Sequence, residues 1–589
     1  MLDDIIRLSL RYRMLVMIAS LAVLAYGSYL ATQMSIDVFP DLDRPRVVII
    51  TEAPGMATEE VETLVTQPIE IALMGASGVQ AVRSQTTAGL NVLYVEFDWS
   101  TEIKTARQTV SERLATLEGI LPEGIRPQMT PPSSIMGQIV VAGIYRQSGP
   151  KGGQLTPIER TGLAAELTGS EEDYQILAWK ADDRRRIEHW ESIGCEVVSL
   201  DRDPSDPALV ATATVKIDSQ LHEVQFHSEA KQLLELRTIA DWVIRPRLLK
   251  VTGVAEVFMQ GGDRKQYQIL LDPTALLEYD VTVQEVAQSL RESNINTSGG
   301  FATTGETERP IRILGRLGTG SRSVMDDLRK IPVVRRTKRS VLLEQVARVI
   351  EGPELKRGDG SVNGHSGIVF TVVKQPHVDT RGLTDEVAAA FAEVEASLPP
   401  DILVNSELFR LKNFIDRGIF NVAEALVIGA ALVIVVLFLF LLNFRTTFIT
   451  LTAIPMSLVM TTLVFRLVSW LSGSELSINV MTLGGIAVAM GELVDDAIVD
   501  VENIFRRLKE NNQRADPKPA ILIVYEASKE IRSAILFGTA VVILVFLPLF
   551  ALSGVEGRLF APLGFAYIVS ILSSFLVSLT ITPVLSYYL

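Results

Sequence analysis

The stretch GELVDDAIVDVENIFRRL, residues 491–508, sets Glu492, Asp495, Asp496 and Asp500 inside a segment that is otherwise apolar and of membrane length. An acidic side chain at the bilayer centre costs about 2.5–3.5 kcal/mol on the insertion scale, so such residues are kept where they move protons or ions. On a helix advancing about 100° per residue the four fall within an arc of about 140°, which predicts one polar seam turned away from lipid. Asp500 lies toward the end of the segment, where a solvated helix-end acid is the simpler expectation.

Working outward, runs long enough to cross a hydrocarbon core of ~30 Å fall near residues 14–32, 420–442, 447–468, 478–500, 533–552 and 562–586. Arg7, Arg11 and Arg13 precede the first run and Asp37, Asp41 and Asp43 follow it. The positive-inside rule then puts the N terminus in the cytoplasm. That run is too long for a signal peptide and no small-residue cleavage site follows, so residues 1–32 are expected to be a cytoplasmic N terminus and an uncleaved first helix. The loop 503–532 carries Arg506, Arg507, Lys509, Arg514, Lys518, Lys529 and Arg532, which returns it to the same side. The expected fold class is an α-helical membrane protein with six transmembrane helices and a large α+β region outside the cytoplasm. Helices two to six fill residues 416–589.

The 589 residues are 48% hydrophobic and 21% charged with a net charge of −14, a mixture of apolar runs and ordinary water-soluble sequence. The acidic balance excludes a nucleic-acid partner, which needs a basic face. The single cysteine, Cys195, cannot form an intrachain disulfide.

Within the water-exposed region, residues 33–146 read as a strand near 46–52, a helix near 58–74, strands near 79–86 and 90–99, a helix at 101–117 and a fourth strand at 135–144, the ferredoxin-like β-α-β-β-α-β order. A similar order recurs less clearly in residues 229–415, with a helix at 231–243, strands at 255–259 and 267–271 and a helix at 283–292, which raises an internal repeat. Residues 147–228 differ in character: QSGPKGG is linker-like, GSEEDYQILAWKADDRRRIEHWES is highly charged and DRDPSDP is turn-rich. This segment is expected to be an atypical insert.

IDVFPDLDRP (residues 36–45), PGMATEEVETLVTQPIE (54–70), VEFDW (95–99), GELVDDAIVDVEN (491–503) and EGRLFAPLGFA (556–566) together resemble the resistance-nodulation-division efflux transporters, specifically the N-terminal half of an inner-membrane permease subunit. The resemblance implies a porter region of ferredoxin-like subdomains in the periplasm, a multi-pass location in the bacterial inner membrane, and assembly as a trimer with a periplasmic adaptor and an outer-membrane channel. It also implies a second half, as a missing C-terminal part or a partner chain. Asp495 and Asp496 match the paired aspartates of the proton-driven exporters and are the expected proton relay; Glu492 is an auxiliary acid candidate without that support. Metal exporters of the family usually keep the first aspartate and replace the second with a small residue, whereas EGRLFAPLGFA and VFPDLDRP look nearer the heavy-metal branch. The expected function is proton-driven export of heavy-metal cations or small toxic compounds by a secondary active transporter. Multidrug or amphiphile export by the same mechanism, and a non-transporting structural half that docks partner subunits, are the alternatives.

No metal site is named from the residues. Met129, Met136 and Met259 are soft ligands in type, but scattered methionines mostly fill irregular core gaps. His189, Cys195, His222 and His227 gather three of the five histidines with the only cysteine, without the spacing of a closed zinc motif. A GKS or GKT phosphate loop and a GxSxG elbow are absent, so neither ATP hydrolysis nor serine catalysis has sequence support. No cofactor is expected. Pro455 and Pro548, within the third and fifth runs, are read as packing kinks.

Overall fold

A computed structural model describes residues 2–588 apart from 35–36, 38–39, 41, 43, 135–136, 159–161, 171–172, 182–188, 203–207, 296, 305–306, 314–316, 319, 337–338, 357, 442, 473–477 and 515. Some side chains within helices and strands, those of residues 494–496 among them, are likewise not described. Asp41, Asp43 and Met136, used in the sequence reading, lie outside the described residues.

The first sheet is built from Arg46–Glu52, Val79–Thr87, Leu90–Phe97 and the two-residue strand Gln128–Met129, ordered in space second, third, first, fourth. Period-two alternation turns Val47, Ile49, Leu93, Val95 and Phe97 to one face, where they meet Val61, Val65, Ile69 and Leu73 of the first helix and Ala106 and Val110 of Ile103–Ala115. A repeat of four drifts about 40° per turn on a 3.6-residue helix. The wider π turn at Glu62–Thr66 takes up part of that drift just before Pro68, which can neither donate to nor fit under the normal ladder.

The second sheet repeats this plan with distant pieces. Its strands in chain order are Gln138–Arg146, Val254–Gln260, His365–Lys374 and Ile402–Arg410, again ordered second, third, first, fourth. Its first helical run holds Leu236, Ala240, Ile244 and Leu248 at the same spacing of four, with a π turn at Ala240–Ile244 just before Pro246. Thr380–Ser397 supplies the second helix, whose Phe391 meets Phe370 edge to face at 5.9 Å. The expected fourth strand at 135–144 therefore belongs elsewhere: Gln138–Arg146 opens the second sheet. Its side chains are mostly buried on both faces, as a strand with two neighbours requires.

Two excursions leave the second sheet. Residues 147–228 form the sequential sheet Gln154–Ile158, Leu163–Thr168, Gln175–Lys180, Glu191–Ile193 and the meander Glu196–Asp201, Leu209–Ile217, Gln220–His227. Ile158, Ala165, Leu167, Ile176 and Ala178 pack on Ala211, Ala213, Val215, Val224 and Phe226, so the segment has a core of its own. The second excursion lies between Gln260 and His365. Lys265–Leu271 and Val283–Ser293 exist close to where the sequence predicts, but the strand pairs with Ala347–Pro353 and the helix packs in a separate core with Leu343, Val346 and Val349. They are not the second half of the repeat; that role falls to residues about 100 positions further on.

Among the described residues five helices are long and apolar enough to cross a membrane: Arg13–Ala31, Leu411–Leu439, Phe444–Leu471, Ala520–Ala551 and Gly554–Tyr588. Gly554–Tyr588 is central, with 78% of its apolar window buried, whereas the same measure is 6% for three of the others. Small residues permit the close approach: Ser570, Ser573, Ser574 and Ser578 are buried along it, and a Cβ on Gly485 would stand 2.4 Å from the Leu563 carbonyl oxygen. Pro455 lies inside a continuous helix, while Pro548 falls in the 3-10 turn Leu547–Ala551. Val480–Asn512 and Ala520–Phe546 run well past the expected boundaries at 500 and 533, because each continues as a charged, water-facing helix. There Arg507 pairs with Glu530 at 2.6 Å, and Asp3 of Leu2–Arg11 meets Arg532 and Lys529. The N terminus and the arginine-rich loop thus lie at the same end of the bundle.

Candidate functional site

The acidic helix Val480–Asn512 starts at a buried capping box. Asn479 Oδ1 accepts from Thr482 N at 2.9 Å and Thr482 Oγ1 accepts from Asn479 N at 2.8 Å. Leu493, Ala497, Val501 and Ile504 then recur on its inner face and bury against the bundle. Ser574 of the central helix donates to Leu493 O at 3.4 Å, which fixes the two helices at the level of the acids.

The four acids do not share one environment. Glu492 is exposed on a face that this chain does not cover. Asp495 and Asp496 sit on the helix one turn before Asp500, and their side chains lie outside the described residues. Asp500 is 3% exposed, which overturns its expected place as a solvated helix-end acid. The helix does not stop near residue 500, so Asp500 lies against Ser528 of Ala520–Phe546 rather than ending in water. Burial at this position is the feature the sequence reading missed; the length of the helix beyond the apolar run was the available signal.

At the other end of the bundle, motif stretches far apart in sequence meet. Asp37 N donates to Ile478 O at 3.0 Å, immediately before the acidic helix, and Asp37 Oδ1 accepts from Thr380 Oγ1 at 3.2 Å. Lys374, buried in the second sheet, lies 4.0 Å from the same carboxylate. A short polar path therefore joins the start of the acidic helix to the second sheet and its helix.

The remaining candidates resolve into packing. Met129 packs against the first core and Met259 against the second. Cys195 Sγ donates to Ile176 O at 3.5 Å, and His227 Nδ1 lies 3.2 Å from Glu235. Among the described residues no group of three or more His, Cys, Asp or Glu side chains is arranged to hold an ion.

An apolar bundle with one acidic helix, carrying a twice-used βαββαβ plan beyond one end, defines a membrane permease of the resistance-nodulation-division type. The chain belongs to the AcrB/AcrD/AcrF family, which it matches over residues 5–168 and 199–589. The unmatched residues 169–198 lie within the segment expected to be an insert. Among its relatives, the nickel-cobalt-cadmium resistance protein NccA of Alcaligenes xylosoxydans xylosoxydans is 29% identical, over 99% of this chain and 49% of its own length. The cation efflux system protein CusA of Escherichia coli K12 is 27% identical over 100% of this chain and 48% of its own length. A crystal structure of a heavy metal efflux pump superposes with a TM-score of 0.73 at 25% identity, covering 98% of this chain and 48% of that one. The chain spans about half the length of the curated relatives it matches, and these bear out the resemblance to the heavy-metal branch.

Proposed function

We propose that this chain is one half of a proton-driven exporter of heavy-metal cations, a secondary active transporter of the bacterial inner membrane with its sheet-bearing region in the periplasm. On this reading Val480–Asn512 is a sixth transmembrane helix, Asp495 and Asp496 form the proton relay, and Glu492 is an auxiliary acid facing the second half. The division is residues 1–32 for the cytoplasmic N terminus and first helix, 33–146 and 229–415 for ferredoxin-like porter subdomains with a docking segment, 147–228 for the insert, and 416–589 for helices two to six. Gln138–Arg146 joins the second subdomain in space. A second-half chain or segment, trimer formation, a periplasmic adaptor, an outer-membrane channel and membrane lipid are the partners.

The observation that carries this is the acidic helix itself: a membrane-length helix with acids at its middle, bound at its start through Ile478, Asp37 and Thr380 to the second sheet. Protonation there biases an element that is mechanically joined to the porter region, which is what coupling requires. The names of the relatives support metal cations as cargo. Retention of both aspartates favours a second reading, export of amphiphiles by the same mechanism.

The test is Asp495→Asn with Asp496→Asn in the complete assembly. Each change keeps shape and hydrogen-bonding capacity and removes the titratable charge. Normal expression with loss of metal export from vesicles is expected. Full export by the double variant sinks the relay and leaves a structural half that docks its partners. Export of a dye but not of nickel or cobalt by the unaltered protein selects the amphiphile reading.

A further inference from the structure

We propose that Asp500 is a second proton station, on the cytoplasmic side of the relay, and that it communicates through Ser528 with a polar cavity between the acidic helix and Ala520–Phe546. The inference rests on the proposed export function and adds a residue that neither the motif nor the resemblance assigns.

Asp500 is 3% exposed, and among the described residues neither carboxylate oxygen has a hydrogen-bond partner. Ser528, 4% exposed on the neighbouring helix, lies against it, and among the described residues its hydroxyl likewise has no hydrogen-bond geometry to a partner. Among the described residues no cation pairs with this carboxylate. A buried polar group left unsatisfied costs about 1–3 kcal/mol, and more when charged, so a purely structural role would favour an apolar residue here. The surroundings do not hold a standing charge; they suit a group that receives a proton and passes it on.

The helix places this group on a path. Asp496, Asp500, Asn503 and Arg507 follow at intervals of four, three and four, the spacing of one helical face, and Asp496 to Asp500 is a rise of about 6 Å. Further along that face Asn503 Nδ2 donates to Ala527 O at 2.9 Å, and Arg507 pairs with Glu530. A cavity of about 190 Å³ opens there, lined by Arg507, Glu510, Asn511, Glu526, Ala527 and Glu530. It is roomy and polar enough for water, and its wall at Ala527 adjoins Ser528. The step balances as a hydroxyl shuttle. Asp500 gives its proton to Ser528 Oγ as the serine's own proton passes to cavity water, so one O–H bond forms as another breaks and serine stays neutral.

Infrared difference spectra of the purified protein across pH and proton flux in proteoliposomes of the complete assembly test this together. Asp500→Asn is close to isosteric and is expected to express normally, to lose one pH-responsive carboxyl C=O band, and to slow export-linked proton flux on the order of 100-fold. Ser528→Ala is expected to keep the band and slow flux about tenfold, and it carries the flux comparison if Asp500→Asn does not accumulate. Unchanged flux in both variants, or an unchanged band in Asp500→Asn, overturns the inference. Loss of export in Asp495→Asn with Asp496→Asn, beside normal flux in Asp500→Asn, removes Asp500 from the path while the proposed function stands.

Discussion

The Arg558 guanidinium lies 4.4 Å from the ring centre of Trp99 and donates to the Trp99 carbonyl oxygen at 3.4 Å, joining the last apolar helix to the first sheet. Arg44 approaches the same ring at 5.8 Å while pairing with Glu96 at 3.0 Å. Three stretches that carried the family resemblance, around Arg44, Trp99 and Arg558, are thus one joint. A cation over a tryptophan ring is worth about 0.5–2 kcal/mol, too little to decide folding but enough to shift an equilibrium between two arrangements. Arg558→Ala is expected to leave expression intact and lower metal export several-fold, read as the resistance of cells carrying the complete assembly. Equal resistance would make the joint decorative.

Gly485 marks a close approach to the central helix. A methyl group there meets backbone, which cannot swing aside, so Gly485→Ala is expected to lower stability by about 1–3 kcal/mol, seen as an earlier thermal transition in detergent. Gly429, with open space around it, is the control and is expected to tolerate alanine.

The segment 147–228 has its own core, and its ends return to one place. Gln154 Nε2 donates to His227 O at 2.8 Å near its start and finish, and Arg146 reaches Glu235 at 2.9 Å across the junction. Deleting residues 148–227 and bridging the gap with a short glycine linker is expected to preserve expression and membrane insertion. Failure to insert would make the segment part of the folding core.

That junction carries a pH dependence with two opposed parts. Burial pushes the Glu235 carboxyl up, but the hydrogen bond and charge of His227 with the charges of Arg146 and Lys231 outweigh it and hold the group below the ordinary glutamate value. Its ionised form therefore stabilises the fold above that ordinary value, and the contribution is lost as pH falls through the depressed one. Asp401 acts the other way: burial raises it more than Arg146 lowers it, so its contribution is present in acid and fades as pH rises through the raised value. Glu235→Gln removes the first part and, because the Glu235 charge helps to raise Asp401, also weakens the second. The protection factors for hydrogen exchange at residues 229–239 should fall on acidification toward about pH 4 in the unaltered protein, and less so in the variant.

The sidedness is open to labelling. In a Cys195→Ser background, a cysteine at Ser361 is expected to react with an impermeant reagent in spheroplasts, and one at Asn512 only after lysis. The reverse pattern would invert the bundle, although Asp3 and Arg532 would still share one end.

The sequence by itself determined the elements that local physics decides. Apolar length marked the membrane-length helices, and alternation gave the first three strands of the first sheet. The GELVDDAIVDVEN stretch gave the acidic helix at once, since acids in an apolar run have few explanations. Tertiary structure alone decided which strand pairs with which. Gln138–Arg146 is flanked by strands beginning at His365 and Ile402, more than 200 residues away, and the apolar run of a central strand does not encode its neighbours. It also decided the fate of Asp500. Helical spacing fixes the face on which a residue lies, but whether that face meets water, lipid or another helix depends on what the rest of the chain packs against it.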